Sequence, residues 1–325
     1  MSLAERSSRV FLLIVAAVAA ISMESVQADQ AGSQSVPAEK LPASTLIYVS
    51  DYFSFVGADS QGRVAFALDN NRGRDGEKYQ AEHFVVLHEE HKGWANVAGN
   101  GRYENTKKEL TRIPDSPFFQ FENTPETGLT ITSAKNQLTL RIEPLKQRTL
   151  RTHGKSTIWY GSAPAVLTWQ GRTIPGRVIY ESLVMPDFNR LTRTYWGMWK
   201  EFQGLYLLAD GSHDIYLHSQ QSERMAAFAG TLVGFSVFNE LPESLNGLQV
   251  EILDREFAPG FYRWPTAWRI TWTGSKGPAS MTLSLSYQKK IANWVIGGFS
   301  MGIVSGELSY DGRTWPIYGL AELIM

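Results

Sequence analysis

The sequence of 325 residues has no cysteine and no excess of charge of either sign. Without cysteine there are no disulfide bonds, no thiolate metal ligands and no cysteine nucleophile. The 31 Lys and Arg residues nearly balance the 32 Asp and Glu residues, and no basic stripe stands out. We therefore expect no nucleic-acid partner. No metal and no cofactor are predicted.

Long apolar runs are also scarce, and the one that is present lies near the N terminus. Arg6 and Arg9 precede the apolar segment 10–21, and a cleavage site of small residues follows. This order predicts a signal peptide over residues 1–28, and hence a protein of the periplasm or a secreted protein. The apolar run is shorter than the roughly 20 residues of a membrane span, and an uncleaved anchor is the alternative. The small, polar segment 29–44 is predicted to be a disordered leader.

The three-and-four spacing of long amphipathic helices is missing as well. Instead, short segments rich in β-branched and aromatic residues recur at intervals of about 8–12 residues, with turn signals between them. Such a pattern is typical of sandwiches and barrels. The sequence predicts an all-β fold.

One stretch of the sequence occurs twice. Leu167–Val184 and Leu308–Met325 align without a gap, and each contains a strand, a Gly-containing turn, a second strand and a late Glu. The identical pairs are Leu167/Leu308, Gly171/Gly312, Arg172/Arg313, Thr173/Thr314, Pro175/Pro316 and Glu181/Glu322. The offset of 141 residues is too long for a solenoid repeat and indicates duplication of a whole domain. We predict two antiparallel β-barrels, at residues 45–185 and 186–325.

The endings of the two halves carry a resemblance to a known family. Gly176–Glu181 reads GRVIYE, Gly319–Glu322 reads GLAE, and Asp51–Phe55 (DYFSF) is an aromatic opening strand. With these features the chain resembles the tandem lipocalin-like family of AttH-like proteins and carotenoid 1,2-hydratase (hydroxyneurosporene synthase) relatives. The resemblance implies two packed calycin-type barrels with an apolar ligand cavity in or between them. It implies no particular catalytic residue, because that group mixes hydratases, cyclase-like enzymes and proteins of unknown activity.

Glu181 and Glu322 are the candidate catalytic residues. Each stands in an otherwise apolar strand, and a carboxyl group that faces a dry cavity can protonate a double bond, the first step of a hydratase or cyclase. The alternative is that each glutamate pairs with an arginine, such as Arg172 or Arg313, and pins a barrel end or the domain interface.

The candidate ligand-binding residues include a polar pair at the end of an apolar strand. Period-two alternation places Asn70 and Arg72 on the apolar face of the strand that begins at Arg63. An amide and a guanidinium at a barrel mouth would orient the polar end of an apolar ligand. The alternative is that Arg72 pairs with Asp69 at the surface. The full set of candidates is Asn70, Arg72, His83, Trp196 and Trp268.

Two further patterns, a histidine cluster and a G-x-S-x-G match, are explained as well by structure as by function. His83, His88 and His91 are the densest cluster of metal-ligating types, but alternation puts His83 and His88 on opposite faces of a strand. The segment Gly298–Gly302 matches the G-x-S-x-G pattern of a nucleophile elbow. That motif needs a following helix and a later His, whereas a strand is predicted here and no His follows His218.

The sequence thus predicts an exported protein that binds an apolar small molecule, a lipid or isoprenoid, in the cell envelope. Two alternatives stay open. One is a hydratase- or cyclase-type enzyme with a buried carboxyl group as proton donor. The other is a structural or partner-binding adaptor that contacts the membrane surface or an envelope protein. The identity of the ligand and the oligomeric state are left open.

Overall fold

Most of the described residues lie in strands or turns. A computed structural model describes residues 42, 45–110, 112–146, 148–153, 156–187, 201–209, 213–221, 231–238, 241–257, 263–293 and 298–324. The predicted signal peptide and Trp196 lie outside the described residues. The all-β prediction is confirmed, because the described part of the chain contains no helix. Accordingly, none of its described segments is a helix with the length and apolar character to cross a membrane.

The described ranges contain twenty strands, which form two antiparallel sheets. The first sheet contains β1 (Ile47–Asp59), β2 (Gly62–Asp75), β3 (Lys78–Glu89), β4 (Gly93–Trp94), β5 (Gly101–Glu104), β6 (Gln120–Glu122), β7 (Leu129–Ser133), β8 (Leu138–Ile142), β9 (Arg148–His153), β10 (Ser156–Trp169) and β11 (Arg172–Pro186). The second sheet contains β12 (Glu201–Ala209), β13 (His213–Gln221), β14 (Thr231–Phe238), β15 (Leu241–Ser244), β16 (Asn246–Phe257), β17 (Arg263–Gly274), β18 (Gly277–Asn293), β19 (Gly298–Tyr310) and β20 (Arg313–Ile324).

The two sheets share one topology around their last strands. The first runs in the order β4-β3-β2-β1-β11-β10-β8-β7-β6, with β5 beside β3 and β9 beside β10. The second runs β15-β14-β13-β12-β20-β19-β18-β17-β16. In each sheet the last strand therefore returns to lie between the first strand and the penultimate long one. This correspondence agrees with the duplication expected from the repeated stretch.

The repeated stretch forms the hairpins β10–β11 and β19–β20. Gln170-Gly171 have φ of 49° and 80°, and Asp311-Gly312 have φ of 50° and 68°. Positive φ at both turn residues is the signature of the two-residue type I′ hairpin, which favours Gly at the second position. The pairs next to the turns are equivalent, Trp169 with Arg172 and Tyr310 with Arg313. The two copies therefore keep the same register up to the glutamates.

Each sheet wraps around a hydrophobic core of its own. Alternate residues of the strands point inward, as period two requires. The first core includes Phe53, Phe55, Phe66, Leu68, Phe119, Leu140, Leu167 and Tyr180. The second includes Leu205, Leu207, Ile215, Trp264, Trp268, Trp272, Val304 and Leu323. Burial of such side chains stabilises the fold by about 1.5–3 kcal/mol each.

The opposite faces of nine strands pack together in a region that we call the seam. Its buried members from the first barrel are Tyr48, Tyr52, Val56, Ala65, Ala67, Val86, Ile158, Tyr160, Ile179, Leu183 and Met185, and those from the second are Tyr206, Tyr216, Phe299, Met301, Ile303, Tyr318, Leu320 and Ile324. Both barrels belong to one compact unit, Pro37–Met325. A buried ion pair crosses the seam, with Arg177 Nε 2.5 Å from Asp214 Oδ2.

Candidate active site between the barrels

Glu181 and Glu322 both point into the seam. In β11 the neighbouring residue Tyr180 faces the first core, so alternation turns Glu181 outward toward the second barrel. The same alternation in β20 turns Glu322 toward the first barrel. The two residues are only 6% and 5% exposed. The duplicated glutamates are therefore buried between the barrels rather than inside either core.

Four tyrosines surround the two carboxyl groups. The rings of Tyr52 and Tyr206 stack with their centroids 4.3 Å apart, which joins the first barrel to the second. The Tyr216 ring lies 5.3 Å from that of Tyr206 and 5.2 Å from that of Tyr160. Each ring is buried. We define the seam centre as the group formed by Tyr52, Tyr160, Glu181, Tyr206, Tyr216 and Glu322.

Tyrosine hydroxyl groups donate hydrogen bonds to both carboxyl groups. The Tyr216 hydroxyl in β13 donates to Glu181 Oε2 across the seam. The Tyr206 hydroxyl donates to Glu322 Oε2 over 3.5 Å within the second barrel. Hydrogen bonds to a charged acceptor are stronger than those between neutral groups. The carboxyl groups are thus held in place by donors on neighbouring strands.

Gly204 makes room for one of these contacts. It is the cross-strand partner of Glu322, and the Tyr206 side chain leans over it from two positions along β12. A Cβ atom at Gly204 would lie 2.9 Å from the Tyr206 hydroxyl oxygen. Real Cβ atoms rarely come so close, so an alanine would push the phenol away from Glu322.

Electrostatics keep the tyrosines protonated. The pKa values of Tyr52, Tyr206 and Tyr216 are all raised well above 10.0, mainly because burial disfavours the phenolate. Coulomb repulsion from Glu181 and Glu322 raises the pKa of each of the three further. These hydroxyl groups therefore remain proton donors in hydrogen bonds throughout the physiological pH range.

Two hydroxyl groups on β1 have no hydrogen-bond partner among the described residues. Tyr52 and Ser54 are 3% and 2% exposed and lie on the same strand face, yet the hydroxyl oxygen of each is buried and unpaired. The Ser54 hydroxyl is near enough to lower the Tyr52 pKa slightly, but not in the geometry of a hydrogen bond. Nearly all buried polar groups in native proteins have a partner. The hydroxyl groups of Tyr52 and Ser54 are exceptions to this rule.

A third carboxylate is fixed beside Tyr52. Asp69 is the cross-strand neighbour of Tyr52 and is 4% exposed. Ser50 Oγ donates to Asp69 Oδ1 over 2.7 Å, and Asn71 Nδ2 donates to Asp69 Oδ2 over 2.8 Å. The surroundings of the Tyr52 hydroxyl are therefore strongly negative, since the Coulomb effects of Glu322, Asp69 and Glu181 all raise its pKa.

The predicted ligand-binding residues Asn70, Arg72 and His83 lie elsewhere, inside the first barrel. All three are fully buried. Arg72 is paired, but with Asp51 in the interior and not with Asp69 at the surface. Its other two nitrogens donate to the Leu110 carbonyl oxygen and to Asn70 Oδ1, each over 2.7 Å. Each guanidinium nitrogen is thus already bound to a protein acceptor.

The polar network continues from Asn70 to His83 and Tyr103. Asn70 Nδ2 lies 2.6 Å from His83 Nε2, and the Tyr103 hydroxyl lies 2.9 Å from the same nitrogen. Burial, with a smaller contribution from Arg72, lowers the His83 pKa to about 3. Burial raises the Tyr103 pKa to about 12. His83 is therefore neutral, and its Nε2 accepts a hydrogen bond from the Asn70 amide nitrogen, which can only donate.

Tyr103 separates this network from a surface pocket of about 550 Å³ at the β3–β5 edge. The pocket is lined by Glu77, Lys78, Tyr79, Gln80, Arg102, Tyr103, Glu104, Asn105, Thr106 and Lys108. Charged side chains form much of this lining. Asn70, Arg72 and His83 do not line the pocket.

The remaining predicted site residues are not part of the seam centre. Trp268 is fully buried in the second core. Trp196 lies outside the described residues. His88 faces the seam, with Nδ1 3.2 Å from the Tyr318 hydroxyl, so His83 and His88 do lie on opposite faces of β3. Within the described ranges no three His, Cys, Asp or Glu side chains form a metal-binding group.

The structure also tests the predicted pairing of Arg172 and the G-x-S-x-G match at Ser300. Arg172, expected as a partner of Glu181, instead binds Asp59 over 2.8 Å and Glu89. Ser300 of the G-x-S-x-G match lies in β19 and accepts a hydrogen bond from Gln288 Nε2 over 2.8 Å. A strand residue held in this way does not have the context of a nucleophile elbow.

Sequence reasoning missed the four tyrosines. They are contributed by β1, β10, β12 and β13, and none of them is part of a duplicated pair. Tyr160 corresponds to Met301 in the cross-strand register, and Tyr52 corresponds to Gly204. Tyr52 and Tyr160 lie directly opposite Glu181, a signal that requires the strand register to be known. Tyr206 and Tyr216 pair with other residues, so the register alone would not have found them.

The solved structures that resemble this chain include the following three. Kievitone hydratase from Nectria haematococca matches with a TM-score of 0.57 at 10% identity, over 85% of this chain and 88% of that one. An AttH-type protein from Nitrosomonas europaea matches with a TM-score of 0.59 at 9% identity, over 90% and 97%. CghA with Sch210972 matches with a TM-score of 0.51 at 10% identity, over 91% and 92%.

No protein-family model and no curated protein sequence matches the chain. The likeness is therefore one of fold. It extends over both halves, because each structure covers most of the chain. The predicted resemblance and the predicted fold class are confirmed at this level: the protein has the fold of the tandem lipocalin-like, AttH-type structures.

Proposed function

We propose that the protein binds an apolar small molecule between its two barrels and acts on it by proton transfer, as a hydratase or cyclase. One observation carries this proposal. Two buried carboxyl groups, one from each duplicated hairpin, meet tyrosine hydroxyl groups at the seam centre. Kievitone hydratase, which shares the fold, is by its name a hydratase.

The surroundings suit an apolar substrate. Ile179 and Leu183 lie on the same face of β11 as Glu181, and Leu320 and Ile324 lie on the same face of β20 as Glu322. A site that is mostly apolar, with a few convergent polar groups, is the usual form of a small-molecule site. Such surroundings would exclude water other than a reacting molecule.

The chemistry would use the two carboxyl groups in opposite roles. In a hydration, one carboxylic acid gives its proton to one carbon of a double bond, and water attacks the neighbouring carbon. The other carboxylate takes the proton that water releases. In a cyclisation, a new carbon–carbon bond replaces the attack by water, and the same carboxylate takes a proton from carbon. The tyrosine hydroxyl groups would carry the proton back between the carboxyl groups.

The location of this chemistry is also a proposal. The predicted signal peptide over residues 1–28 would direct the protein to the periplasm or outside the cell. Fractionation of cells that express the full chain, with mass determination of the purified protein, tests this. Recovery of an unprocessed chain from the cytoplasm would contradict it.

Binding without turnover is the second candidate function. It rests on the unpaired hydroxyl groups of Tyr52 and Ser54, which fit a bound ligand whether or not it reacts. A carrier would release its ligand unchanged. An adaptor, the third alternative, would bind no small molecule at the seam centre.

Extraction of the purified protein tests the proposal. The full chain is expressed in its organism of origin, purified without detergent, and extracted with organic solvent for mass spectrometry. We expect a stoichiometric apolar compound from the wild type and a changed ratio of substrate to product from Glu181→Gln. Glu251→Gln, at an exposed position on β16, is the matched control and should resemble the wild type. An extract without any bound compound contradicts the proposal.

A further inference from the structure

Within the described part of the chain, the buried hydroxyl groups of Tyr52 and Ser54 have no acceptor to bind. Both hydroxyl groups lie on the seam face of β1, two residues apart, and both are unpaired. Tyr52 is also fixed in orientation, because its ring stacks on Tyr206 at 4.3 Å with an interplanar angle of 18°. A rigid ring therefore holds an unpaired hydroxyl group at the seam centre.

An unpaired buried hydroxyl group is unfavourable for folding, since water hydrogen-bonds it in the unfolded chain. A phenylalanine would keep the stack and avoid this loss. Two such groups side by side, one of them next to the proposed reactive carboxyl groups, therefore point to a missing third partner. The Tyr52 and Ser54 hydroxyl groups are close enough to each other to share one acceptor.

We infer that the substrate is a neutral oxygenated molecule, whose carbonyl or hydroxyl oxygen accepts hydrogen bonds from Tyr52 and Ser54. This inference rests on the proposed function and narrows its substrate class. A pure hydrocarbon would leave both hydroxyl groups unpaired after binding. A free fatty acid would bring a negative charge next to three carboxyl groups.

The charges at the site support a neutral acceptor. Glu181, Glu322 and Asp69 all act electrostatically on the Tyr52 hydroxyl group. They hold it in its protonated form, so that it donates, and they repel an anionic ligand. Among apolar molecules this favours those with a neutral acceptor oxygen, such as ketones, aldehydes and alcohols. Tyr52 is then a specificity-determining residue, since a site built to bond an oxygen rejects the analogue that lacks it.

Matched probes of one chain length test the inference. Dodecan-2-one, dodecane and dodecanoate are each used to displace the neutral fluorophore N-phenyl-1-naphthylamine from the purified full-length protein. We expect the wild type to bind the ketone at least about tenfold more tightly than the alkane or the carboxylate. Equal affinity for ketone and alkane overturns the inference while leaving the proposed function intact. Failure of all three probes to bind contradicts both.

Single substitutions test whether the Tyr52 and Ser54 hydroxyl groups cause the preference for the ketone over the alkane. In Tyr52→Phe we expect the affinity for the ketone to fall most of the way to that for the alkane, with the affinity for the alkane unchanged. Ser54→Ala should lose part of the preference. Tyr287→Phe, an exposed tyrosine elsewhere, is the control and should keep it. Tyr52→Phe leaves the stack on Tyr206 in place, so its thermal midpoint should equal or exceed that of the wild type, and a retained preference in this folded variant overturns the inference.

Discussion

Tyr216 of the second barrel donates a hydrogen bond to Glu181 of the first, whereas Glu322, the duplicate of Glu181, accepts from Tyr206 of its own barrel. The duplication placed two equivalent carboxyl groups in the seam, where both act on the same tyrosines. The strands around them then diverged, because Tyr52 and Tyr160 flank Glu181 while Gly204 and Met301 flank Glu322. This asymmetry gives two chemically identical groups different surroundings, as separate acid and base roles require.

Replacement of either glutamate should abolish most of the activity without unfolding the protein. Glutamine keeps the shape of the side chain but neither releases nor takes up a proton. We expect Glu181→Gln and Glu322→Gln each to lower kcat by about 10²–10⁴-fold. The measurement is turnover of the compound extracted from the wild type. Near-wild-type kcat in either variant, with the fold checked by circular dichroism, would remove that residue from the mechanism.

Two Tyr→Phe substitutions at the seam centre should differ in their effect on stability. Tyr216→Phe removes a donor to a carboxyl group, a type of hydrogen bond that contributes about 1.5–3 kcal/mol. Tyr52→Phe removes a hydroxyl group without a partner, so the free energy of unfolding should stay the same or rise. Urea unfolding of both variants gives the comparison. Equal destabilisation by the two substitutions would mean that the Tyr52 hydroxyl group has a partner in the folded protein.

The network inside the first barrel should matter for stability more than for ligand affinity. Arg72 and Asp51 are 0% and 4% exposed, so Arg72→Met leaves a buried carboxylate without its cation. We expect a loss of about 3–5 kcal/mol in the free energy of unfolding. The exposed pair Arg269–Glu251 provides the control, and Arg269→Met should lose less than about 1 kcal/mol. A stable Arg72→Met variant that fails to bind ligand would restore the predicted role of Arg72 as a ligand clamp.

His83 should make the fold sensitive to mild acid. Its pKa is lowered from 6.5 to about 3 in the folded protein, so the unfolded chain takes up a proton over this range and the folded one does not. The stabilising contribution is fully present above pH 6.5 and is lost as the pH falls toward 3. The limiting slope for one proton is about 1.36 kcal/mol per pH unit.

The comparison of wild type with His83→Gln isolates this contribution. Chemical denaturation at several pH values between 7 and 4 gives the free energy of unfolding of each protein. We expect the variant to be less stable at pH 7, where it lacks the native network. It should also lose less stability than the wild type on acidification. Parallel pH dependences in the two proteins would show that His83 does not titrate on unfolding.

The fold was largely predictable because its signals are local. Alternating apolar residues and turn signals predicted strands, and the turn glycines Gly171 and Gly312 predicted hairpins. The duplication then gave the division into two halves. The predicted boundaries at 45–185 and 186–325 stay predictions, although β11 ends at Pro186 and β12 begins at Glu201.

The site was harder to predict because it depends on register and on packing between barrels. Alternation correctly placed Asn70 and Arg72 on the inward face with Phe66 and Leu68. It could not show that the Arg72 guanidinium would form an ion pair with Asp51. Tyr52 and Tyr216 approach Glu181 from strands outside its own hairpin. Tyr216 and Glu181 are 35 residues apart, on strands that contact each other only across the seam. No local pattern records such a contact.

Deuterium incorporation tests the central claim most directly. The purified protein is incubated in D₂O with the neutral apolar extract of its organism of origin, and the products are analysed by mass spectrometry. If the seam centre transfers protons to carbon, the wild type should introduce deuterium into a carbon–hydrogen bond of one compound, and the double variant Glu181→Gln, Glu322→Gln should not. Absence of incorporation by the wild type, or equal incorporation by the folded double variant, would contradict the account.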